Sequence, residues 1–142
     1  MLLSRRSFGA CAICAITGFI ASEAHAEDKP APAAASTGIK RNIVQKTDLP
    51  DSKYVSVLAI VEIDAGTAVA RHTHPGVEST YVLDGQLELM VHGQPARTVK
   101  AGDAFQIAPE VPHAARNGEK VTKLAITYTV DRDKPLASPA PE

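Results

Sequence analysis

Tryptophan is absent from this chain of 142 residues, and tyrosine and phenylalanine contribute only three residues each. Positive charge is not in excess either, because 15 Lys and Arg stand against 16 Asp and Glu, for a formal net charge of −1. The sequence shows no basic patch. We therefore expect no nucleic-acid partner, and no membrane partner once the N-terminal segment described below is removed.

Cysteine is confined to Cys11 and Cys14. Their Cys-x-x-Cys spacing is typical of redox or metal motifs, but both residues lie in the hydrophobic part of a segment that we expect to be removed. The mature protein then has no thiol and no disulfide. This excludes a cysteine nucleophile, and the fold must rest on apolar burial and on any bound metal.

The one long apolar run lies near the N-terminus, from Gly9 to about residue 21. It follows Arg5 and Arg6, with Phe8 two positions later, and leads into a small-x-small cleavage pattern that ends at Ala26. Residues 1–26 are therefore predicted to be a twin-arginine signal peptide, cleaved after Ala26, that sends the mature protein to the periplasm. The alternative is a general secretory signal in which the arginine pair is accidental. The run is too short for an ordinary membrane span.

Composition divides the rest of the chain into three parts. Residues 27–38 are rich in Pro and Ala without apolar periodicity, which predicts a flexible linker. Residues 39–133 are predicted to form one small domain with one core. Residues 134–142 have a similar Pro-rich composition and are predicted to be a disordered tail.

The domain reads as a series of short strands, because runs of Val, Ile, Thr and Tyr are separated by Gly, Pro and Asp. No long stretch with a period of 3.6 residues occurs outside the signal peptide, so we expect little helix. The fold class is therefore predicted to be all-β, an antiparallel sandwich closed into a barrel with room for one small ligand. The predicted strands are 54–63, 68–74, 78–83, 86–91, 96–99, 104–107, 113–116 and 121–130.

Two histidines and a glutamate are spaced so that their side chains meet. His72 and His74 are two residues apart on a predicted strand, so they point to the same side. A Pro-Gly turn follows directly, and Glu78 opens the next strand. His113 is a fourth candidate, downstream in a proline-rich stretch. A His-x-His pair alone is more often structural than metal-binding, but the fixed spacing to a glutamate favours a metal site.

Both stretches resemble the cupin family. The first signature motif of that family is matched at every position, by Gly66, His72, His74, Glu78 and Gly85. The second motif is matched by Gly102, His113 and Asn117. Ala108 stands where the family usually has Pro, and Glu110 stands where it usually has Gly. These departures concern the loop conformation rather than the His113 ligand.

The resemblance implies an antiparallel double-stranded β-helix, or jelly-roll barrel, and a homodimer. It also implies that His72, His74, Glu78 and His113 bind a divalent transition metal. Three imidazole nitrogens and a carboxylate suit several ions, and we favour Fe or Mn, with Ni, Cu, Co and Zn as alternatives. Octahedral coordination would leave two positions open for water, substrate or dioxygen.

Four other polar residues near the motifs are given structural roles. His92 precedes a glycine and is expected to be an exposed turn residue. Alternation turns Arg71 and Arg116 away from the ligand positions, toward the outer surface or a dimer contact. Asn117 shares the face of His113, and a local hydrogen bond to the backbone is its expected role.

Alternation leaves two points open. Gln106 and Tyr81 reach the cavity only if local bulges reverse the strict alternation of their strands, and Tyr54 is assigned to packing alone. The last strand has an apolar face and a second face of small or polar residues, and the pattern does not say which of them lines the cavity. The first face carries Leu124, Ile126, Tyr128 and Val130, and the second carries Lys123, Ala125, Thr127 and Thr129.

Two functions from different classes fit these observations. The first is a metal-dependent enzyme acting on a small organic molecule, since cupins with three His and one Glu include dioxygenases, decarboxylases, isomerases and lyases. We favour a dioxygenase-like reaction on a small chelating substrate, because no second catalytic acid or base is evident. The alternative is a non-enzymatic periplasmic protein that binds a metal or a small anionic ligand. Fold alone does not choose between them.

Overall fold

The computed structural model describes residues 37–141, and these form ten antiparallel strands in two sheets. The predicted signal peptide and nearly all of the predicted linker lie outside the described residues. Within 37–141 there is no helix, and hence none long and apolar enough to cross a membrane. The strands are β1 (Ile39–Asp48), β2 (Tyr54–Ile63), β3 (Ala68–Thr73), β4 (Gly76–Asp84), β5 (Gln86–Val91), β6 (Arg97–Lys100), β7 (Ala104–Ile107), β8 (His113–Asn117), β9 (Thr122–Asp131) and β10 (Ser138–Pro139).

The predicted all-β antiparallel fold is confirmed. One sheet has the order β1-β2-β9-β4-β7 and the other the order β10-β3-β8-β5-β6. Most neighbours in each sheet are distant in sequence, as in a jelly roll, where successive strands alternate between two facing sheets. The strands predicted from residue 54 onward begin and end within two residues of their observed limits, because each has the apolar alternation or flanking turn residues that mark a half-buried strand.

The core lies between the two sheets. On β9 the apolar face is the buried one, which answers the question that alternation left open: Leu124, Ile126, Tyr128 and Val130 are each at most 4% exposed. β2 pairs with β9 along its whole length and alternates in the same register. The remaining buried apolar side chains belong mainly to β2, β4, β5 and β7: Val55, Val57, Ala59, Val61, Ile63, Val82, Leu87, Leu89, Val99, Phe105 and Ile107.

The first strand was not predicted. β1 pairs with β2 from Ile39 opposite Ile63 to Asp48 opposite Val55, with a bulge between Ile43 and Gln45. Nine of its ten residues are exposed. Because β1 lies at the edge of its sheet and the second sheet does not cover it, its sequence has no need to alternate between apolar and polar residues, and periodicity cannot reveal it.

The C-terminal residues differ from the disordered tail that their composition predicts. Ser138 and Pro139 pair with Thr73 and His72 of β3, and Ala140 N donates to Arg71 O at 3.1 Å. Proline has no N–H to donate, and it is tolerated here because β10 is an edge strand. The segment therefore lies against the strand that carries the His-x-His pair.

Candidate metal centre

The structure brings the four predicted ligand residues together. His72 lies on β3, His74 follows that strand, Glu78 lies on β4, and His113 opens β8 directly opposite His72. One ligand atom from each residue lies within 4.8 Å of the others. His74, Glu78 and His113 are at most 5% exposed, whereas His72 is only partly buried. His72 is therefore the member of the cluster that is in contact with solvent.

All three imidazoles are held by the same device, a contact between Nδ1 and a backbone carbonyl. His72 Nδ1 lies 2.8 Å from Ala70 O, His74 Nδ1 lies 2.6 Å from Leu136 O, and His113 Nδ1 lies 3.0 Å from Val111 O. A carbonyl can only accept, so each Nδ1 must carry the proton and donate it. Each neutral ring is then left with an unprotonated Nε2, the nitrogen that binds a metal, and carbonyl partners of this kind fix metal-binding histidines in other proteins.

The Nε2 atoms of His74 and His113 face the carboxylate of Glu78. His74 Nε2 lies 2.8 Å from Glu78 Oε2, and His113 Nε2 lies 3.5 Å from the same oxygen. Both nitrogens are buried and have no donor or acceptor partner. Because Nδ1 already holds the one ring proton of a neutral imidazole, Nε2 has only a lone pair to present to the Glu78 oxygen. In the neutral rings these short contacts therefore bring together two acceptors and are not hydrogen bonds. Such an arrangement needs a cation, either a proton on an imidazole or a metal ion held between the donors.

The charge states follow from burial and from these contacts. Burial, reinforced by the nearby His113, lowers the pKa of His72 to about 4, so this imidazole is neutral at pH 7. Burial alone would raise the pKa of Glu78, but its short contacts with the His113 and His74 imidazoles and the hydrogen bond from Thr80 outweigh burial and lower it. Burial would lower the pKa of His113, but its contacts with Glu78 and the Val111 carbonyl raise it. The site therefore presents a carboxylate among imidazoles.

Thr80 fixes the orientation of the Glu78 carboxylate. Its Oγ1 donates to Glu78 Oε1 at 2.7 Å, and both side chains are buried. This bond occupies one carboxylate oxygen and leaves Oε2 facing His74 and His113. Sequence reasoning did not identify Thr80, although its position two residues after Glu78 on the same strand places it on the same face.

We expect Thr80→Val to lower the affinity for a divalent metal by about 10- to 100-fold, the range found when an outer partner of a metal ligand is removed. Valine has nearly the same shape but cannot donate a hydrogen bond, so the barrel should stay folded. The control is Thr127→Val, on the outer face of the same sheet, where the side chain is only half-buried. Chelator competition on both variants measures the effect, and equal affinities would show that the Thr80 bond does not matter.

Two residues outside the predicted set lie beside the cluster. The ring of Tyr128 is centred 4.9 Å from that of His74. Burial and the charge of Glu78 raise the pKa of Tyr128, so it stays a neutral phenol. The guanidinium carbon of Arg41 lies 5.9 Å from the centre of the Tyr128 ring. Arg41 was not predicted because it lies on β1, which was not predicted either. The only sequence signal for Arg41 is its position between the alternate residues Ile39 and Ile43.

The residues assigned structural roles are away from the ligand atoms. His92 is exposed in a turn, as predicted, and its Nδ1 accepts from Arg71 Nη2 at 3.1 Å. Arg71 Nε also donates to Pro141 O at 2.9 Å. Arg116 is exposed on β8. Asn117 makes the predicted local bond, donating through Nδ2 to Lys120 O at 2.8 Å, and the same nitrogen also contacts the distant Ile63 O at 2.7 Å.

Gln106 and Tyr81 do not reach the cluster, because no bulge reverses their alternation. Gln106 Nε2 donates to Ser79 Oγ at 2.9 Å, and Tyr81 is 48% exposed. Both line a shallow groove on the outer face of the β4-β7-β9 part of the sheet, which separates them from the ligands. Tyr54 is exposed at the start of β2, with Lys53 Nζ 5.8 Å from its ring centre.

The second motif keeps its turn despite its departures from the family pattern. Glu110, at the position where the family usually has glycine, has a φ of 59°. This is the left-handed region that favours glycine, so the backbone takes a conformation that suits the family's usual glycine and that a glutamate tolerates poorly. Glu110 N donates to His74 O at 3.0 Å. The turn thus ties the segment before His113 to the first motif.

Comparison with known proteins agrees with this architecture. The sequence matches the Cupin domain family (Cupin_2) over residues 59–128. No curated protein matches the chain. Among solved structures, an uncharacterized conserved protein with a double-stranded beta-helix domain from Klebsiella pneumoniae is 21% identical, with a TM-score of 0.60 over 78% of this chain and 91% of that one.

Two named proteins are also similar. KdgF from Halomonas sp. is 28% identical, with a TM-score of 0.56 over 68% of this chain and 84% of that one. The DMSP lyase DddQ from Ruegeria pomeroyi DSS-3 is 24% identical, with a TM-score of 0.57 over 63% of this chain. The chain spans only 44% of the length of that lyase. The double-stranded β-helix fold is confirmed, and residues 59–128 match the Cupin domain family.

Proposed function

We propose that this chain is an exported, metal-binding cupin that acts as a metal-dependent enzyme on a small organic molecule. The observation that carries the proposal is the shared orientation of the three imidazoles. Each ring donates a hydrogen bond from Nδ1–H to a backbone carbonyl, which leaves the Nε2 lone pairs for a cation beside the Glu78 carboxylate. A core built only for packing has no reason to bury such a set of acceptors.

The donor set limits the choice of ion. Three imidazole nitrogens and one carboxylate oxygen suit divalent transition metals and fit poorly with Ca²⁺ or Mg²⁺, which prefer oxygen ligands. We propose Fe or Mn, with Ni, Cu, Co and Zn as alternatives. When bound, such an ion supplies a Lewis acid with coordination positions left for small ligands.

The residues of the chain would position the ion and direct access to it. The carbonyls of Ala70, Leu136 and Val111 hold the rings, and Thr80 holds Glu78. His72 is the only partly buried member of the cluster, so a substrate would approach from its side. Rigid support of this kind keeps the ligands in place while substrate and product exchange.

The reaction we favour is oxygen-dependent cleavage of a small chelating substrate, such as a diketone, an enol or a hydroxylated aromatic. Among residues 37–141, the ionisable side chains beside the cluster are Tyr128, a neutral phenol, and the cations Arg41 and Arg71. None of them is a general base at neutral pH, which favours chemistry that begins with chelation. The likeness to a DMSP lyase is one of fold, at 24% identity, and lyase substrates belong in the assay panel for that reason alone.

Oxygen uptake tests this proposal. We expect the Fe- or Mn-loaded protein to consume dioxygen with at least one member of a panel of diketones, enols and catechols. His113→Ala should abolish the uptake and His92→Ala should retain it, because only the first is in the cluster. No uptake by fully metal-loaded protein across the panel would overturn the dioxygenase proposal.

The non-enzymatic alternative also has an observation in its favour, the same lack of a base beside the cluster. A carrier or sensor would hold its metal tightly and need no acid–base group. Azide binding to the metal-loaded protein separates the two proposals: rapid spectral change indicates open coordination positions, whereas no change and slow metal exchange indicate a binder.

Export and self-association complete the proposal. The arginine pair and cleavage pattern support secretion of a folded protein to the periplasm. A homodimer is supported by apolar side chains that are exposed on the outer face of the first sheet, where Leu58, Tyr81 and Leu83 are 37%, 48% and 44% exposed.

A further inference from the structure

The inner face of β1 carries a cation beside the cluster. In the β1–β2 ladder, Arg41 is opposite Val61 and Ile43 is opposite Ala59. Val61 and Ala59 are 4% and 0% exposed, so they face the core. Residues directly opposite each other in an antiparallel pair share a face of the sheet. The side chains of Arg41 and Ile43 therefore extend from the face that the ligands occupy.

That part of the inner face is not covered by the second sheet. Ile43 is 53% exposed and Arg41 is exposed, although their partners on β2 are buried. β1 is an edge strand of its sheet. An isoleucine at the rim of an open cavity would face inward and still contact solvent, as Ile43 does. In such a cavity β1 would form one wall and Tyr128 would lie at the base.

Arg41 reaches from this rim toward the cluster. Its guanidinium carbon is 5.9 Å from the centre of the Tyr128 ring, and that ring is centred 4.9 Å from the ring of His74. Tyr128 is only 2% exposed. One tyrosine ring thus contacts both the guanidinium and a ligand of the cluster, so a small molecule at the cluster could extend to Arg41.

The guanidinium has no acidic partner within 37–141. The six ion pairs among these residues involve other side chains, and the nearby Glu78 carboxylate is turned toward His74, His113 and Thr80. Arg41 donates a hydrogen bond to the Tyr128 hydroxyl, and the remaining N–H donors of the guanidinium are left for a planar anion. The other arginine near the cluster, Arg71, is bonded to Pro141 and His92.

We propose that Arg41 determines specificity by binding a carboxylate of the substrate, while the chelating end of the same molecule occupies the metal. The substrate class is then a small chelating acid whose carboxylate is joined to the chelating group by a short apolar linker that lies along Ile43. One guanidinium matches one carboxylate in a bidentate pair. Binding of the chelating group to a metal rests on the proposed function, whereas binding of the carboxylate to Arg41 is tested separately.

The test uses a matched pair of probes and the redox-inert Zn²⁺-loaded protein. The probes are 4,6-dioxoheptanoate, a diketone with a remote carboxylate, and its methyl ester, which keeps the chelating group and loses the charge. Calorimetric titration should show that wild-type protein binds the acid about tenfold or more tightly than the ester. Arg41→Met should reduce that preference to less than about twofold without changing the affinity for the ester.

The matched control is Lys40→Met, which removes a cation from the same strand. Lys40 is opposite Glu62, on the outer face, and lies 3.8 Å from Asp64. We expect this variant to keep the preference for the acid, and both variants to keep the zinc content of the wild type. An effect of Lys40→Met equal to that of Arg41→Met would mean that net charge, and not Arg41, causes the preference, and would overturn the proposal.

The possible failures are distinguishable. If zinc is bound at full occupancy but acid and ester bind equally, or the preference survives Arg41→Met, the Arg41 proposal is wrong and the metal site stands. If the protein binds no zinc, the proposed function fails, and the same two probes are titrated into metal-free protein. If metal-free protein binds the acid more tightly than the ester, and Arg41→Met removes this preference, the carboxylate site is supported. If metal-free protein binds both probes equally, the carboxylate site is overturned as well.

Discussion

Replacing His74 with alanine should lower the affinity for divalent metal by more than about 100-fold, because loss of an outer partner alone costs up to that factor and we propose His74 as a direct ligand. The imidazole is 1% exposed and its Nε2 lies 2.8 Å from Glu78 Oε2, so no water or neighbouring side chain can replace it without rearrangement. Glu78→Ala should have a similar effect. Titration of Zn²⁺ or Co²⁺ against a chromophoric chelator measures both.

The matched control for these variants is His92→Ala. His92 is also an imidazole near Arg71 but is exposed in a turn and contributes nothing to the cluster. The metal affinity of the His92→Ala protein should equal that of the wild type. Circular dichroism should show the same β-sheet signal in all three variants, since the core between the sheets is untouched. Unchanged metal affinity in both His74→Ala and Glu78→Ala would refute the site.

Gly76→Ala should unfold or severely destabilise the domain, by about 3 kcal/mol or more, since overpacking that moves the backbone costs 1–3 kcal/mol even in favourable cases. A Cβ at this position would lie 2.0 Å from Thr129 O and 2.6 Å from Val130 Cα. These are backbone atoms of β9, which pairs with β4 and cannot move without breaking the ladder. Thermal or urea unfolding measures the loss.

Gly118→Ala is the control for this substitution. A Cβ on Gly118 has no atom within 4 Å, and its φ is not positive, so we expect a change in stability within about 0.5 kcal/mol, as is usual for open surface sites. Gly76 also lies between His74 and Glu78, so any folded Gly76→Ala protein should bind metal more weakly. Equal stability of the two alanine variants would show that β4 and β9 are further apart than described.

The clustering of the four candidate ligand residues could be predicted because their spacing is itself geometric information. Alternation on a strand places His72 and His74 on one side, and the Pro-Gly turn returns the chain to place Glu78 beside them. What the spacing could not provide is the support of the rings. His74 bonds to the carbonyl of Leu136, 62 residues away, in a Pro-rich segment with no apolar pattern of its own. A backbone carbonyl is present at every residue and leaves no sequence signal.

β1 and Arg41 were missed for a related physical reason. Burial alternation identifies a strand only when both of its faces have different environments, and nine of the ten residues of β1 are exposed. The strand is specified by its ladder to β2 rather than by burial. On β9, by contrast, alternation in the sequence distinguishes the two faces but does not say which one is buried. The position of the second sheet decides that Tyr128 faces the cluster.

The most direct test of the metal centre is elemental analysis of the mature protein, purified from the periplasm of a native-like host without chelators or added metal. We expect close to one transition-metal ion per chain, Fe or Mn by preference, and its loss in His74→Ala protein prepared in the same way. Protein that is folded, monodisperse and free of transition metal would contradict the metal centre and would mean that the buried lone pairs of His74 and His113 are balanced by protons.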